Sequence, residues 1–364
     1  KEIVMERKSI LIITDRTGYF SFLGNQLAND FDVYYIAVWK KDESLLKKRG
    51  IPYISRESLL MKNPASSNNK GILSIEEIKQ ALFSDLQYDT LYNNGKYRNF
   101  LLKGGENYAS AIDEFTNEKK IDLIIVQNDS WNYASIPLAI AKKKNIKTLI
   151  FEDGFFRPDT IVLDTKGVNN NNSCPRERAY YEKIIIDKKA YDIFRQKEIK
   201  KGSGPLIFMP SFKSMLHTLK TLTIYFRHPR RILRMVLLAL DFIFFITVKR
   251  TFILLPLQVR SDSQIICHSS IKSMAEFIDI CIASIEKYNK KHNQNISVVI
   301  KEHPKDIHID LLLKTRKKYK FVRNFYLANF NTRRLIEQCI AIITINSTIG
   351  IEGLIYYKPV ITLG

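Results

Sequence analysis

Two adjacent carboxylates mark the first place in the sequence where residue types and spacing favour chemistry. Glu152 and Asp153 directly follow an apolar run at 147–151 that is typical of a buried strand, and Arg157 comes shortly after them. A carboxylate at a strand's end can act as a general acid or base when its surroundings tune its pKa. The alternative interpretation is an ordinary turn, because Asp-Gly and Arg-Pro pairs are frequent in turns.

A second polar block follows the apolar run at 252–257. Gln258, Arg260 and Asp262 leave this strand in close succession. Asp262 is a candidate nucleophile or electrostatic partner, and Gln258 with Arg260 could position an anion. The alternative is a polar loop that leads into a helix with Ser269 as its N-cap.

A third block follows the strand-like run at 296–300. Lys301 supplies a positive charge, and His303 supplies a directed hydrogen bond or a proton. This combination at a strand's end suits a phosphate group. A plain surface loop is the alternative.

The fourth block, residues 344–352, joins a strand to a helix that we expect to begin at Ser347 or Thr348. Hydroxyl groups and unpaired N–H groups at a helix N-terminus form an anion site. Asn346 lies within the turn, and Glu352, one helical turn further on, could accept hydrogen bonds from two ribose hydroxyls. Ser347 with Thr348 is also an ordinary N-cap, and the two roles are compatible.

The elements that must position these blocks alternate between strand and helix. Apolar strand-like runs also occur at 9–14, 31–38, 51–54, 121–126, 341–344 and 360–363, and helical spacing covers 136–144, 269–289 and 331–338. This alternation favours parallel sheets with helices on both faces. We therefore predict two α/β halves with a boundary between about 180 and 250, and ligands beyond the carboxyl ends of the strands.

Composition narrows the class of protein. The 364 residues include 57 Lys and Arg against 37 Asp and Glu, a formal charge of +20, and 45% are hydrophobic, which excludes a disordered chain. The charge suits nucleic acid, an anionic membrane or an acidic substrate, unless it is only a lysine-rich solvated surface. Nucleic acid is disfavoured, because the aromatic residues lie mostly inside apolar runs rather than among Lys and Arg.

Several site classes are disfavoured by missing motifs. The scattered cysteines form no CxxC pair, which argues against a zinc or disulfide framework and fits a reducing compartment. The sequence contains no P-loop, no GxGxxG after the first strand, no GxSxG and no HExxH, so we predict no metal site. The first residues do not have the pattern of a signal peptide, and we expect the chain to be trimmed at one or both ends.

The segment 227–250 combines charge with strong apolar character. Its apolar part, 235–248, contains Asp241, is shorter than the ~20 residues of a transmembrane helix and has Arg and Lys on both sides. Such a segment can lie on an anionic membrane surface. The alternative is a buried helix that links the two halves.

Taken in order, the four blocks resemble bacterial capsular polysaccharide biosynthesis proteins of the β-Kdo glycosyltransferase type, in particular the branch that adds the first Kdo, an acidic sugar, to a lipid. The matching blocks are 152–159 with 167–169, 256–264 with 268–269, 301–304, and 345–352 closed by 358–360. The resemblance covers roughly residues 121–364. One departure is Glu302, an acid inside the third block.

The resemblance implies an α/β fold of the GT-B-like type, in which two Rossmann-like domains have parallel sheets facing a cleft. Residues 1–180 would form the acceptor-side domain, 181–250 a helical basic and apolar linker, and 251–364 the nucleotide-sugar domain, truncated at its end. The usual C-terminal helix of the family is missing from this sequence. The implied enzyme is a retaining transferase that takes CMP-Kdo as donor substrate and needs no other cofactor.

Roles for individual residues follow from the same resemblance. Asp262 would be the nucleophile, and Glu152 or Asp153, with Glu152 favoured, the acid or base towards the acceptor. The substrate- and nucleotide-binding residues would be Gln258, Lys301, His303, Asn346, Ser347, Thr348, Glu352 and Arg157.

The implied partners are a nucleotide-sugar donor, a lipid or glycan acceptor and an anionic membrane surface, with no nucleic acid. The expected location is cytoplasmic, peripheral at the inner face of the cell membrane. Two alternatives stay open. One is a GT-B transferase with another donor, such as CMP-sialic acid or a UDP- or GDP-sugar. The other is a non-catalytic protein of capsule assembly.

Overall fold

The chain divides into two compact units, Lys1–Tyr180 and Tyr181–Gly364. The structure is a computed structural model. It describes residues 7–13, 18–62, 71–156, 159–201, 240–241, 243, 251–259, 261–303, 309–319, 324–327 and 331–364. Most of the basic and apolar segment 227–250 lies outside these ranges, as do Arg157 and Arg260 among the residues predicted to belong to a site.

The described residues of the first unit form a six-stranded sheet in the order β3-β2-β1-β4-β5-β6. Its strands are β1 (Lys8–Ile13), β2 (Phe31–Ala37), β3 (Ile54–Ser55), β4 (Leu123–Gln127), β5 (Lys147–Asp153) and β6 (Ile161–Asp164). The described pairs are parallel except for β6, which runs antiparallel to β5. Strands β1 and β4 are buried almost throughout, as expected of strands covered on both faces.

Helices cover both faces of this sheet. They are α1 (Tyr19–Asp30), α2 (Lys40–Lys48), α3 (Arg56–Lys62), α4 (Ile75–Ala81), α5 (Phe83–Asn93), α6 (Arg98–Glu118) and α7 (Asn132–Lys144). A short helix with all its residues exposed, α8 (Arg178–Tyr181), follows at the boundary of the two units. Local signals set their ends: Ser74 and Glu77 form a capping box at the start of α4, and Asn145, in the left-handed conformation, ends α7.

The described part of the second unit contains a five-stranded sheet in the order β11-β10-β7-β8-β9, and its described pairs are all parallel. The strands are β7 (Phe252–Pro256), β8 (Ser297–Lys301), β9 (Asn324–Leu327), β10 (Ala341–Thr344) and β11 (Val360–Thr362). The helices are α9 (Lys188–Lys201), α10 (Ser263–His268), α11 (Met274–His292), α12 (Ile309–Lys318), α13 (Thr332–Gln338) and α14 (Ile349–Ile355).

Alternate residues of β7 and β8 enter two separate apolar layers, one on each face of this sheet. Leu255 and Ile300 pack with α11, and Leu254 and Val299 pack with α13. This alternation is the Rossmann-like arrangement of a buried parallel sheet. The predicted α/β class with Rossmann-like units is confirmed.

One predicted helix boundary is wrong. The expected helix over 269–289 starts five residues later, because the Ser269 hydroxyl accepts the N–H of Ile271 in a turn and does not cap a helix. This helix, α11, begins at Met274, and the hydroxyl of Ser273 caps it by accepting the N–H of Glu276.

In each sheet the strand order changes direction at a central pair of strands, β1 and β4 in the first sheet and β7 and β10 in the second. In the first unit the chain adds strands outward from β1 and then from β4, and in the second outward from β7 and then from β10. The loops after such neighbouring strands separate at the sheet's carboxyl edge and leave a crevice there, which is where open α/β sheets bind ligands. The topology therefore directs attention to the residues that follow β4, β7 and β10.

No helix in the described part of the chain has the length and apolar character needed to cross a membrane.

Candidate functional site

The side chain of Gln258 joins the two loops at the switch point of the second sheet. Gln258 follows β7, is 5% exposed, and its Nε2 donates to Asn346 Oδ1 at 3.0 Å. Asn346 follows β10 and returns a bond from its backbone N–H to Gln258 Oε1 at 3.3 Å. Asn346 Nδ2 also donates to the carbonyl of Gln264 at 2.8 Å. The carboxamides thus tie the ends of two neighbouring strands to the start of α10.

Asp262 lies beside this network and caps α10. Its Oδ1 accepts the N–H of Gln264 at 2.9 Å, and its Oδ2 lies 3.4 Å from Gln258 Nε2, a long and weak contact. Its backbone carbonyl accepts the N–H groups of Ile265 and Ile266. The half-buried carboxylate is therefore fixed through Oδ1, and Oδ2 is the oxygen more available for another contact.

Lys301 ends β8, next to β7, and its ammonium group lies inside the protein. The residue is 7% exposed, and Nζ donates to the backbone carbonyl of Glu302 at 2.8 Å. Burial lowers the pKa of Lys301, and the negative charge of Glu302 acts against that shift. Glu302 is itself buried, whereas His303 is half-buried. A buried cation at a strand's carboxyl end gains most from an anion that reaches it.

The turn after β10 presents Ser347 and Thr348 next to Asn346. Ser347 donates its N–H to Thr344 Oγ1 and accepts the N–H of Ile349 with its own hydroxyl oxygen, both at 3.3 Å. Thr348 occupies the N-cap position of α14 and makes no capping bond with its side chain. Both residues are half-buried at the same edge as Gln258.

Glu352, in the first turn of α14, is part of an ion-pair cluster. Its Oε2 lies 3.4 Å from Arg333 Nε on α13, and Arg333 Nη2 lies 3.6 Å from Glu198 Oε2 on α9. Arg333 Nη1 also donates to the Glu198 carbonyl at 2.8 Å, and Lys201 Nζ reaches Glu198 Oε1 at 2.5 Å. Glu198 is only 4% exposed, and through it this cluster of charges links α9 to α13 and α14.

In the first unit, Asn128 holds Glu152 across the ends of β4 and β5. Asn128 Nδ2 donates to Glu152 Oε2 at 2.7 Å, and the N–H of Asp153 donates to Glu152 Oε1 at 3.0 Å. Asn128 itself has a φ of 66°, a left-handed conformation that Asn tolerates better than most residues. Its Oδ1 accepts the N–H of Ser130 at 2.8 Å. Glu152 is therefore oriented through both oxygens, whereas Asp153 continues the β5–β6 ladder opposite Ile161.

The Gly167-Val168 segment closes over the end of β4. The N–H of Val168 donates to Asp129 Oδ2 at 3.0 Å, and Asn171 Nδ2 reaches the same oxygen at 3.1 Å. A Cβ on Gly167 would stand 2.7 Å from that oxygen, so only glycine allows this approach. This close approach explains why residue 167, in the segment that follows the Glu152 and Asp153 block, is a glycine.

A half-buried carboxyl, that of Asp85, lies further along the same edge. Asp85 accepts the backbone N–H of Asn132 at 2.9 Å and its Nδ2 at 2.5 Å, where α7 begins. Burial raises the pKa of Asp85 to about 6, although the bonds from Asn132 and the charge of Arg56 oppose the shift.

The structure brings the predicted residues into two groups, one in each unit. Asp262, Gln258, Lys301, His303, Asn346, Ser347, Thr348 and Glu352 belong to the carboxyl edge of the second sheet, and Glu152 and Asp153 to that of the first. Sequence analysis missed Asn128 and Arg333. The position of Asn128, just after the buried run at 121–126, is a signal that could have found it, whereas Arg333 lies within a helix and has no such signal.

The fold and these loops define an α/β protein with Rossmann-like units whose polar groups gather at the carboxyl edges of parallel sheets. The chain belongs to the family of capsule polysaccharide biosynthesis proteins, whose pattern matches residues 122–201 and 244–364. The predicted membership of a capsule biosynthesis family is thereby confirmed.

The chain is also similar to individual proteins. The chain is 32% identical to Protein FixF of Sinorhizobium fredii over 244 residues, which cover 66% of this chain and 48% of FixF. It is 27% identical to the capsule polysaccharide export protein KpsS of Escherichia coli over 252 residues, 62% of each chain. The chain thus spans less than two thirds of either relative. A glycosyltransferase structure from Rickettsia africae aligns over 99% of this chain and 81% of its own, with 12% identity and a TM-score of 0.37.

Proposed function

We propose that this protein is a retaining glycosyltransferase that moves Kdo from CMP-Kdo to a lipid or glycan acceptor during capsular polysaccharide biosynthesis. The observation that supports it best is the Gln258 carboxamide, which holds Asn346 at 3.0 Å and lies 3.4 Å from the Asp262 carboxylate at the switch point of the second sheet. This arrangement provides an oriented carboxylate at the place where α/β sheets bind ligands.

The donor would bind along the second sheet's carboxyl edge. Lys301 and His303 are proposed to contact the CMP phosphate, with hydroxyl and N–H groups from Ser347 and Thr348. The buried Lys301 ammonium favours an anionic ligand, because a neighbouring phosphate restores the solvation that the charge loses on burial. Glu352, held through Oε2 by Arg333, would accept hydrogen bonds from the ribose hydroxyls.

The nucleophile would be Asp262 through Oδ2, because Oδ1 already accepts the N–H of Gln264. Attack of Oδ2 on the anomeric carbon forms a carbon–oxygen bond while the bond to the CMP phosphate breaks, and CMP leaves with the electron pair. The acceptor hydroxyl oxygen then attacks the same carbon and releases the Asp262 carboxylate. Two inversions give net retention, as in retaining glycosidases.

Glu152 is proposed as the base that takes the proton of the acceptor hydroxyl, and Asp153 is the second candidate. Asn128 and the N–H of Asp153 hold the two Glu152 oxygens in a fixed orientation. A base held in this way loses less entropy when the acceptor arrives. The working location would be the cytoplasmic face of the cell membrane, where such a lipid acceptor resides.

The test incubates the protein with CMP-Kdo generated in situ and a lipid-linked or Kdo-terminated acceptor. We expect CMP release, a mass gain of one Kdo on the acceptor, and retained anomeric configuration by NMR. Asp262→Asn should lower the rate by at least about a thousandfold. Asp192→Asn, a half-buried aspartate on α9, is the matched control and should leave the rate unchanged.

Omission of the acceptor should trap the covalent intermediate, seen by mass spectrometry as a Kdo adduct on the peptide that contains Asp262. An inverted product, or equal rates for wild type and Asp262→Asn, would contradict the mechanism. Release of a nucleotide from CMP-sialic acid or a UDP- or GDP-sugar, and none from CMP-Kdo, would show that the donor is that nucleotide sugar instead of CMP-Kdo. Binding of donor without any turnover would favour a non-catalytic role in capsule assembly.

A further inference from the structure

The segment that opens the second unit exposes an unusual amount of apolar surface. Every residue from 176 to 191 is exposed. Within it, three consecutive isoleucines, Ile184, Ile185 and Ile186, are 49%, 97% and 70% exposed. Soluble proteins expose single apolar residues routinely, but contiguous apolar patches mark interaction surfaces. We call residues 182–187 the isoleucine loop.

The isoleucine loop is held in a defined conformation at both ends. The N–H of Ile184 donates to the carbonyl of Tyr181 at 3.1 Å, which closes a turn after α8. Asp187 caps the N-terminus of α9, since its Oδ1 accepts the N–H of Ala190 at 3.0 Å and its carbonyl accepts the N–H of Tyr191 at 2.9 Å. The short span between these anchors keeps the three isoleucines outside the core.

The surroundings of the loop are aromatic and basic. Tyr180 and Tyr181 precede it with exposures of 52% and 49%. Between residues 176 and 191, five exposed Arg and Lys residues stand against three acidic ones, Glu177, Glu182 and Asp187, so the segment has a net positive charge. Exposed apolar side chains with neighbouring tyrosines and a net positive charge are the composition of surfaces that enter the interface of an anionic bilayer.

We propose that the isoleucine loop inserts into the interfacial region of an anionic membrane and docks the protein there. Net charge selects this occupant: basic residues outnumber acidic ones over 176–191 and the whole chain carries a formal charge of +20, so an anionic surface attracts the protein, whereas a second copy would bring like net charges together. The inference extends the proposed function, which places the enzyme at a membrane, and names the surface that makes the contact. Its test needs no donor sugar, so each proposal can fail without the other.

The experiment measures binding of the full chain to vesicles of phosphatidylcholine, with and without phosphatidylglycerol, by sedimentation. We expect binding to the anionic vesicles and at least about a tenfold loss for the double variant Ile185→Ser, Ile186→Ser. Lys188→Gln with Lys189→Gln should weaken binding about tenfold on anionic vesicles only. The control is Ile280→Ser, since Ile280 is 41% exposed on α11, which covers the opposite face of the second sheet from α13.

Insertion has its own readout. In an Ile185→Trp variant, the added fluorescence, after subtraction of the wild-type signal, should shift to the blue and be quenched by brominated phosphatidylglycerol. Equal vesicle binding by wild type and the double isoleucine variant would overturn the proposal, as would absence of wild-type binding to anionic vesicles. A dimer of the wild type that the double variant abolishes, without any vesicle effect, would assign the loop to self-association instead.

Discussion

Replacement of Gln258 by leucine tests whether its carboxamide organises the switch point of the second sheet. Leucine has a similar volume and no polar atoms, so the substitution removes hydrogen bonds without opening a large cavity. Gln258 donates to Asn346 Oδ1 at 3.0 Å and accepts the N–H of Asn346 at 3.3 Å. These bonds join loops that are 88 residues apart in the chain.

The magnitude follows from these contacts. Two hydrogen bonds of ordinary strength contribute about 2 kcal/mol, and the Asn346 oxygen left without its donor in a half-buried place adds about 1 kcal/mol. The long contact to Asp262 adds little. We therefore expect Gln258→Leu to lower the opening free energy of the second unit by about 2–3 kcal/mol.

Hydrogen exchange of the β7 and β10 amides reports this opening free energy. Both tryptophans, Trp39 and Trp131, lie in the first unit, so their fluorescence should show unchanged unfolding there. Gln338→Leu, an exposed glutamine at the end of α13, is the matched control and should change stability by less than about 0.5 kcal/mol.

A double-mutant cycle tests whether Gln258 and Asn346 contribute to stability through their contact with each other. Gln258→Leu and Asn346→Leu should show a coupling free energy of about 1–2 kcal/mol, because each single change leaves the carboxamide of the other residue without its partner, whereas the double change removes both carboxamides. Additivity of the two changes to within about 0.5 kcal/mol would refute the reasoning, because contacting residues that share hydrogen bonds cannot be independent.

Three further predictions concern titratable groups. Arg333→Met should destabilise the second unit by about 2 kcal/mol, because buried Glu198 loses its guanidinium partner and keeps the Lys201 ammonium; a change below about 0.5 kcal/mol by hydrogen exchange would contradict this. Since the pKa of Asp85 is raised to about 6 in the folded state, its carboxyl takes up a proton at a higher pH in the folded protein than in the unfolded chain. The unfolding free energy of the first unit, followed by tryptophan fluorescence, should therefore rise by about 2 kcal/mol relative to that of Asp85→Asn as pH falls from about 7 to 4; a constant difference would exclude the shift. Because the pKa of Lys301 is lowered, CMP affinity measured by calorimetry should fall as alkaline pH removes the charge of Lys301. Lys301→Met should bind CMP weakly, and its affinity should not change with pH in that range. The same dependence of affinity on pH in the wild type and the variant would show that Lys301 does not contact the phosphate.

Much of the fold could be predicted from the sequence, because the signals are local. The apolar runs that became β4, β7 and β8 are buried on both faces, and such strands consist of continuous aliphatic residues. The polar blocks behind them were found because a sharp change from apolar to polar residues marks a strand's end. For the same reason, Asp262 and Glu152 could be selected without the structure.

Contacts between distant segments could not be predicted in this way. Nothing local indicates that the loop after β7 meets the loop after β10, since this depends on the strand order β11-β10-β7-β8-β9. Arg333 illustrates the limit. Its role arises only when α9, α13 and α14 pack together, and its place in a helix with other charged residues suggests an ordinary solvated face.

The two candidate carboxylates share a feature that bears on how their chemistry would be measured. Each has a carboxamide beside it: Asn128 Nδ2 lies 2.7 Å from Glu152, and Gln258 Nε2 lies 3.4 Å from Asp262. Carboxamides do not ionise at any physiological pH, unlike the lysine or histidine that often occupies such a place. A pH–rate profile of this protein would therefore contain no contribution from ionisation of the carboxamides that lie beside these two candidate residues.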